Sequence, residues 1–155
     1  MRHSAPDRLA TRQDSQAQGV LGRWLLERED LTSRLCALAN TLRRGSQHAP
    51  RKPQPELDRF CEVLVDYVSA GHFEIYRTLL EQHDRVGTAA EALELYELIL
   101  PSTEAALDFN DRYFRSGHGL ALARDLSALS QLLATRFDCE DALIRSLRPG
   151  ARAQA

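Results

Sequence analysis

Within Leu64–Tyr76, reading LVDYVSAGHFEIY, Asp66, Gly71 and His72 fall inside seven residues. An imidazole and a carboxylate this close suggest proton transfer, metal ligation or phosphoryl transfer. Each chemistry asks for more than the chain supplies. A carboxylate-bridged di-metal bundle needs Glu-x-x-His pairs on two helices, and none occurs. His72 and His118 with Glu140 and Asp141 would make only an irregular metal set. A phosphotransfer histidine stands beside a lysine and a following glycine. Here the one lysine, Lys52, lies in a Pro-rich segment, and Gly71 precedes His72. No Walker loop, GxGxxG, HExxH or GxSxG run is present. No enzyme activity, cofactor or metal is therefore expected. A histidine flanking a helix stripe reads more simply as a packed side chain bonded to a carboxylate. Gly71 would cost about 1 kcal/mol against alanine in a helix interior. Close approach of a neighbouring helix would explain it.

These residues need long helices to hold them. A first helix fits from about residue 14 to Arg43, with Leu21, Trp24, Leu31, Leu35, Leu38 and Leu42 on one stripe. GSQHAPRKPQP, residues 45–55, holds a glycine and three prolines and reads as a loop. A second helix fits Glu56–Val86. Gly87 stops it, and Thr88 with Glu91 looks like a capping box for the next. Helical pattern continues over Ala89–Phe114 through Leu93, Tyr96, Ile99, Leu100, Ala106 and Leu107, kinked or split at Pro101. After the turn Ser116–Gly119, a last helix runs over about Leu120–Leu147. Leu122, Leu126, Leu129, Leu133, Phe137, Ile144 and Leu147 share its face. The expected fold is all-α, an antiparallel four-helix-type bundle. One domain over residues 14–148 is expected between a flexible segment 1–13 and a flexible tail 149–155.

The second helix carries two faces. At ~100° per residue, Leu57, Phe60, Leu64, Val68, Gly71 and Ile75 cluster on one side. Asp66 and Phe73 fall near the opposite side, with Glu62 and Leu80 beside them and Tyr76 at the edge. Carboxylates around large apolar groups suit a basic, partly apolar protein surface. The competing reading is that short flanking helices cover this face as more core. On the last helix, Arg136 and Glu140 read as a surface i,i+4 pair. Alternatively, Glu140 or Asp141 reaches His72 or Arg23 across the bundle and fixes register. Trp24, Arg23, Gly71, His72, Glu140 and Asp141 are the residues expected in such a structural network.

The formal net charge of −2 divides unevenly: +5 over residues 1–55, −9 over 56–147 and +2 over 148–155. An acidic body repels phosphates and attracts basic partners, so direct nucleic-acid binding is not expected. No apolar run approaches the roughly 20 residues of a membrane span, and no apolar leader opens the chain. Cys36, Cys61 and Cys139 lie far apart without a CxxC pair. They read as reduced thiols of a cytoplasmic protein.

Phe60–Tyr76, reading FCEVLVDYVSAGHFEIY, closely resembles the Rsd/AlgQ family of bacterial anti-sigma regulators. Arg23-Trp24-Leu25-Leu26-Glu27-Arg28 resembles the family's first-helix motif. Arg136-Phe137, Glu140-Asp141 and Leu143-Ile144 resemble its last-helix motif. The three segments lie in the expected order and span most of the chain. The resemblance implies a helical bundle that captures the C-terminal domain of the housekeeping sigma factor, whose basic helix-turn-helix reads the promoter −35 element. It implies Asp66 as a partner-binding residue. Glu62, Phe73, Tyr76 and Leu80 join it from the helical geometry alone. The alternatives are a metal- or small-molecule-binding bundle centred on His72 and an adaptor for other signalling proteins.

Overall fold

The computed structural model describes residues 5–44, 54–116 and 119–147. The loop over residues 45–53, the centre of the turn at 117–118 and the tail from 148 lie outside the described residues. Helix α1 spans Ala5–Arg44, starting well before the expected residue 14, so residues 5–13 of the segment read as flexible are helical. Helix α2 spans Gln54–Ala70. A π turn over Gly71–Ile75 passes directly into α3, Tyr76–Val86. Helices α4 and α5 span Ala89–Tyr113 and Leu122–Arg145. Among the described residues there is no strand, and no helix is long and apolar enough to cross a membrane.

Contacts at the helix ends define an antiparallel all-α bundle. Thr41 near the end of α1 donates to Glu56 at the start of α2 over 2.9 Å. Gln54 at the start of α2 reaches the Tyr113 carbonyl at the end of α4 over 3.4 Å. The Tyr113 hydroxyl and Arg112 at the end of α4 both bond Asp125 at the start of α5. The layers run α1 on α2, α2 on α4 and α4 on α5. Helix α3 extends the α2 layer against α4, and the π turn packs against α1.

The apolar rows explain this packing. Trp24, Leu31 and Leu38 are the buried row of α1. Leu57, Phe60, Leu64 and Val68 face them and α4 from α2. Leu122, Leu126, Leu129 and Leu133 continue the core from α5. In α4 the buried row is Ala92, Ile99, Ala106 and Tyr113, with Ser102 and Phe109. Leu93, Leu100 and Leu107, expected on the core pattern, instead stand exposed. Two rows at seven-residue spacing run side by side on this helix, about 100° apart. The small Ala92 and Ala106 let neighbours approach, so their row is the one that packs.

Pro101 does not split α4; the helix passes through it on the exposed side. Pro101 cannot donate to Glu97. Within the same turn the Ser102 hydroxyl donates to the Ile99 carbonyl over 2.6 Å.

The stop at Gly87 has the geometry of a Schellman motif. Gly87 sits at φ 79 and its N–H bonds the Asp84 carbonyl, while the Thr88 N–H bonds the His83 carbonyl. Thr88 does not complete the expected capping box; no side chain caps α4. Its hydroxyl lies 2.6 Å from Nδ1 of the buried His83 instead. His83 Nε2 donates to the Leu143 carbonyl over 2.9 Å, so this histidine clasps the end of α3 to α5.

Cys61 and Cys139 are buried and Cys36 is exposed. Burial, with Asp58 and Glu62 adding to it, pushes the Cys61 thiol up to about 12. Only a thiolate reacts well. Brief alkylation of the native protein, read by peptide mass mapping, is therefore expected to modify Cys36 and spare Cys61 and Cys139. Denaturant is expected to bring all three to full labelling.

Candidate protein-binding face

A polar hub inside the bundle positions the face. Arg136 and Glu140 lie on the same row of α5 as Leu133 and Leu143, and both are 0% exposed. Arg136 Nε donates to Glu140 Oε1 over 2.8 Å. Tyr76 donates its hydroxyl to the same oxygen over 2.9 Å, and Tyr67 donates to Oε2. Arg28 of α1 adds an ion pair to Oε2 at 3.5 Å and bonds Asp141 at 2.6 Å. Burial pushes the Glu140 carboxyl up from its ordinary range, while Arg136 and the tyrosine hydroxyls pull it back. Burial, then the Glu140 charge, holds both tyrosines protonated, and so they act as donors.

Arg136 also anchors α4. Its Nη1 donates to Ser102 over 3.1 Å and to Thr103 over 2.8 Å, in the turn that follows Pro101. Nη2 has no hydrogen-bond partner among the described residues. The guanidinium lies 5.6 Å from the Tyr67 ring centre and 5.5 Å from that of Tyr76. Cation–π attraction offsets part of the missing bond. Trp24 stacks on the other partner of this layer: its ring is 5.1 Å from Tyr67 and parallel to within 1°.

Gly71 is explained by this hub. A Cβ there would meet Arg136 Nη2 at 3.1 Å and the Tyr76 hydroxyl at 3.3 Å. The missing side chain leaves room for a guanidinium from α5. The π turn begins at the same residue, with the Tyr76 N–H bonded to the Gly71 carbonyl five residues back. A π turn adds one residue to the α-helical ladder. Residues after it are therefore rotated by about one α-helical step, ~100°.

That rotation corrects the expected face. Tyr76, expected at the edge of the outer stripe, turns inward to 2% exposure and bonds Glu140. Leu80 turns to a half-buried position against the core. Asp66, ahead of the π turn, stays exposed, as does Glu62, which pairs with Arg59 at 3.1 Å. Phe73, inside the π turn, stands 72% exposed. Asp66 makes no hydrogen bond or ion pair among the described residues. A free carboxylate and an exposed aromatic ring thus stand seven residues apart on one helical face.

Of the network expected from sequence, Trp24, Gly71, Glu140 and Asp141 meet around the hub. Arg23 does not join it; it is exposed, and Arg28, one and a half turns later, takes the inward place. His72 lies in the π turn, with its side chain outside the described residues, as is His118. Arg136 and Glu140 form their i,i+4 pair in the core, not on the surface. Tyr67, Arg28, Ser102 and Thr103 were missed. The available signal was position: Leu133, Arg136, Glu140 and Leu143 share one row.

A family described as regulator of RNA polymerase sigma(70) subunit, Rsd/AlgQ, matches residues 7–148. The chain belongs to this family. Regulator of sigma D from Shigella boydii serotype 4 is 31% identical over 137 residues, covering 86% of each chain. Regulator of sigma D from Salmonella paratyphi B is 30% identical over 141 residues, again covering 86% of each. The protein of that name from Escherichia coli O9:H4 is 31% identical over 137 residues. Rsd/AlgQ is a regulatory family and not an enzyme family. In this Rsd/AlgQ chain the hub accordingly reads as a scaffold: every oxygen of Glu140 is committed to a donor, which leaves none for a reaction.

Removing one partner of a buried ion pair costs about 3–5 kcal/mol. Glu140→Ala is expected to lose about that much in urea denaturation, since Arg136 stays buried without its partner. Gly71→Ala is expected to lose about 0–2 kcal/mol: overpacking a tight site costs about 1–3 kcal/mol, offset by about 1 kcal/mol of helix propensity. A raised midpoint for Gly71→Ala would mean that Arg136 moves aside freely.

Proposed function

We propose that this protein binds the C-terminal, promoter −35-reading domain of the housekeeping sigma factor and sequesters it from DNA and core RNA polymerase. Family membership and the names of the relatives support a sigma factor as the partner. The observation that carries the choice of domain is the unpaired, exposed Asp66 on the face that also bears Phe73. A helix-turn-helix that faces phosphates is basic. A carboxylate with no internal partner is free to meet it. An exposed aromatic beside the carboxylate supplies apolar burial, so charge and anchor act on one face. Glu62 extends the acidic edge, and Leu80, turned half-buried against the core, leaves the apolar part to Phe73. The acidic stretch over residues 56–147, net −9, steers the same partner over longer range.

The face competes with DNA by occupying the same basic surface. Asp66→Arg is expected to weaken binding of the isolated sigma C-terminal domain by at least about tenfold, since like charges across an interface cost several kcal/mol. Circular dichroism is expected to be unchanged, because Asp66 bonds nothing in the bundle. Affinity of the unsubstituted chain is expected to fall as salt rises. Equal affinity of Asp66→Arg and the parent, by calorimetry, would remove this residue from the interface; salt-independent binding would remove the electrostatic component.

A further inference from the structure

Helix α4 carries an outer row of exposed leucines. Leu93, Leu100 and Leu107 are 51%, 37% and 43% exposed. Seven-residue steps at ~100° per residue keep them on one face. Glu97, Glu104, Asp108 and Asp111 fall beside that row and are all exposed. None of these four carboxylates has a hydrogen bond or ion pair among the described residues. The whole helix holds six acids against one arginine, Arg112, and that arginine is bound to Asp125. Exposed leucines in a repeating row mark a contact surface more than a solvated one.

The charge selects the occupant. A second copy would set carboxylates against carboxylates around the leucines. Nucleic acid and anionic lipid are repelled for the same reason. A helix with an apolar row at seven-residue spacing, flanked by lysines or arginines, matches both the leucines and the acids. We propose that α4 is a second docking face, which takes such a basic amphipathic helix from a protein partner. The Asp66 face and the α4 row are carried by different helices. The two can therefore be altered separately by substitution.

The test uses the full chain and a fluorescein-labelled peptide of three heptads, with leucines at a and d and lysines at e and g. Anisotropy is expected to show saturable binding that weakens with salt. Leu100→Lys is expected to weaken it about tenfold, the effect of losing one buried leucine anchor. The double change Glu97→Lys with Glu104→Lys is expected to weaken it similarly and to flatten the salt dependence. Glu27→Lys on α1, an exposed charge reversal elsewhere, is expected to stay within about twofold of the parent. Circular dichroism checks that each variant keeps its helices. Equal weakening by Glu27→Lys would show attraction to net charge alone and overturn the proposal. A dimer in sedimentation that Leu100→Lys dissolves would give the row to a second copy, and no saturable binding would leave it without the proposed occupant. Loss of sigma-domain binding with the peptide unaffected bears on the Asp66 face only.

Discussion

Glu140 sits where no water reaches it, and its charge is met by groups from every layer of the bundle. Arg136 comes from its own helix, Tyr67 from α2, Tyr76 from the end of the π turn and Arg28 from α1. Through Arg136 the set extends to Ser102 and Thr103 of α4. Burying two ions is costly, and an apolar replacement of the same volume is often as stable or more so. What the polar set adds is direction. Leucine rows tolerate sliding by a turn, whereas a carboxylate bonded to three donors and ion-paired with Arg28 does not. The register of α1, α2 and α4 on α5 is thus held at one level of the bundle, and the apolar rows above and below follow from it.

The π turn is the second constraint, and it depends on the first. Arg136 needs the space over Gly71, and Tyr76 must turn inward to reach Glu140. One extra residue in the ladder achieves the turn. It also leaves Phe73 outside, in a segment where the backbone is neither fully α nor free. Inserted turns of this kind are rare, and where they occur they are frequently at functional sites. Core and surface are therefore coupled along five residues, Gly71–Ile75.

The parts legible in the sequence were those that follow a regular period. Trp24, Leu31 and Leu38, and Leu57 through Val68, read directly as core rows, and Gly87 reads as a helix stop. Tyr76 misled because the period itself changes at Gly71, and no residue type announces a π turn. Arg136 and Glu140 misled because charges spaced four apart are usually solvated; only their place between Leu133 and Leu143 says otherwise. In α4 two rows are equally apolar by type, and side-chain size decides between them. Asp66 was picked out by family resemblance and by its side of the helix, since a carboxylate exposed on a helix is by itself ordinary.

Trp24 gives the hub a further property. It is the one tryptophan of the chain, 2% exposed and stacked face to face on Tyr67. Its indole therefore senses the medium around Glu140 and very little else. Intrinsic fluorescence excited at the indole becomes a local optical gauge of this layer, separate from the helix content seen by circular dichroism. An emission shift with constant ellipticity would mark the moment when the helices part at their polar centre while each remains a helix.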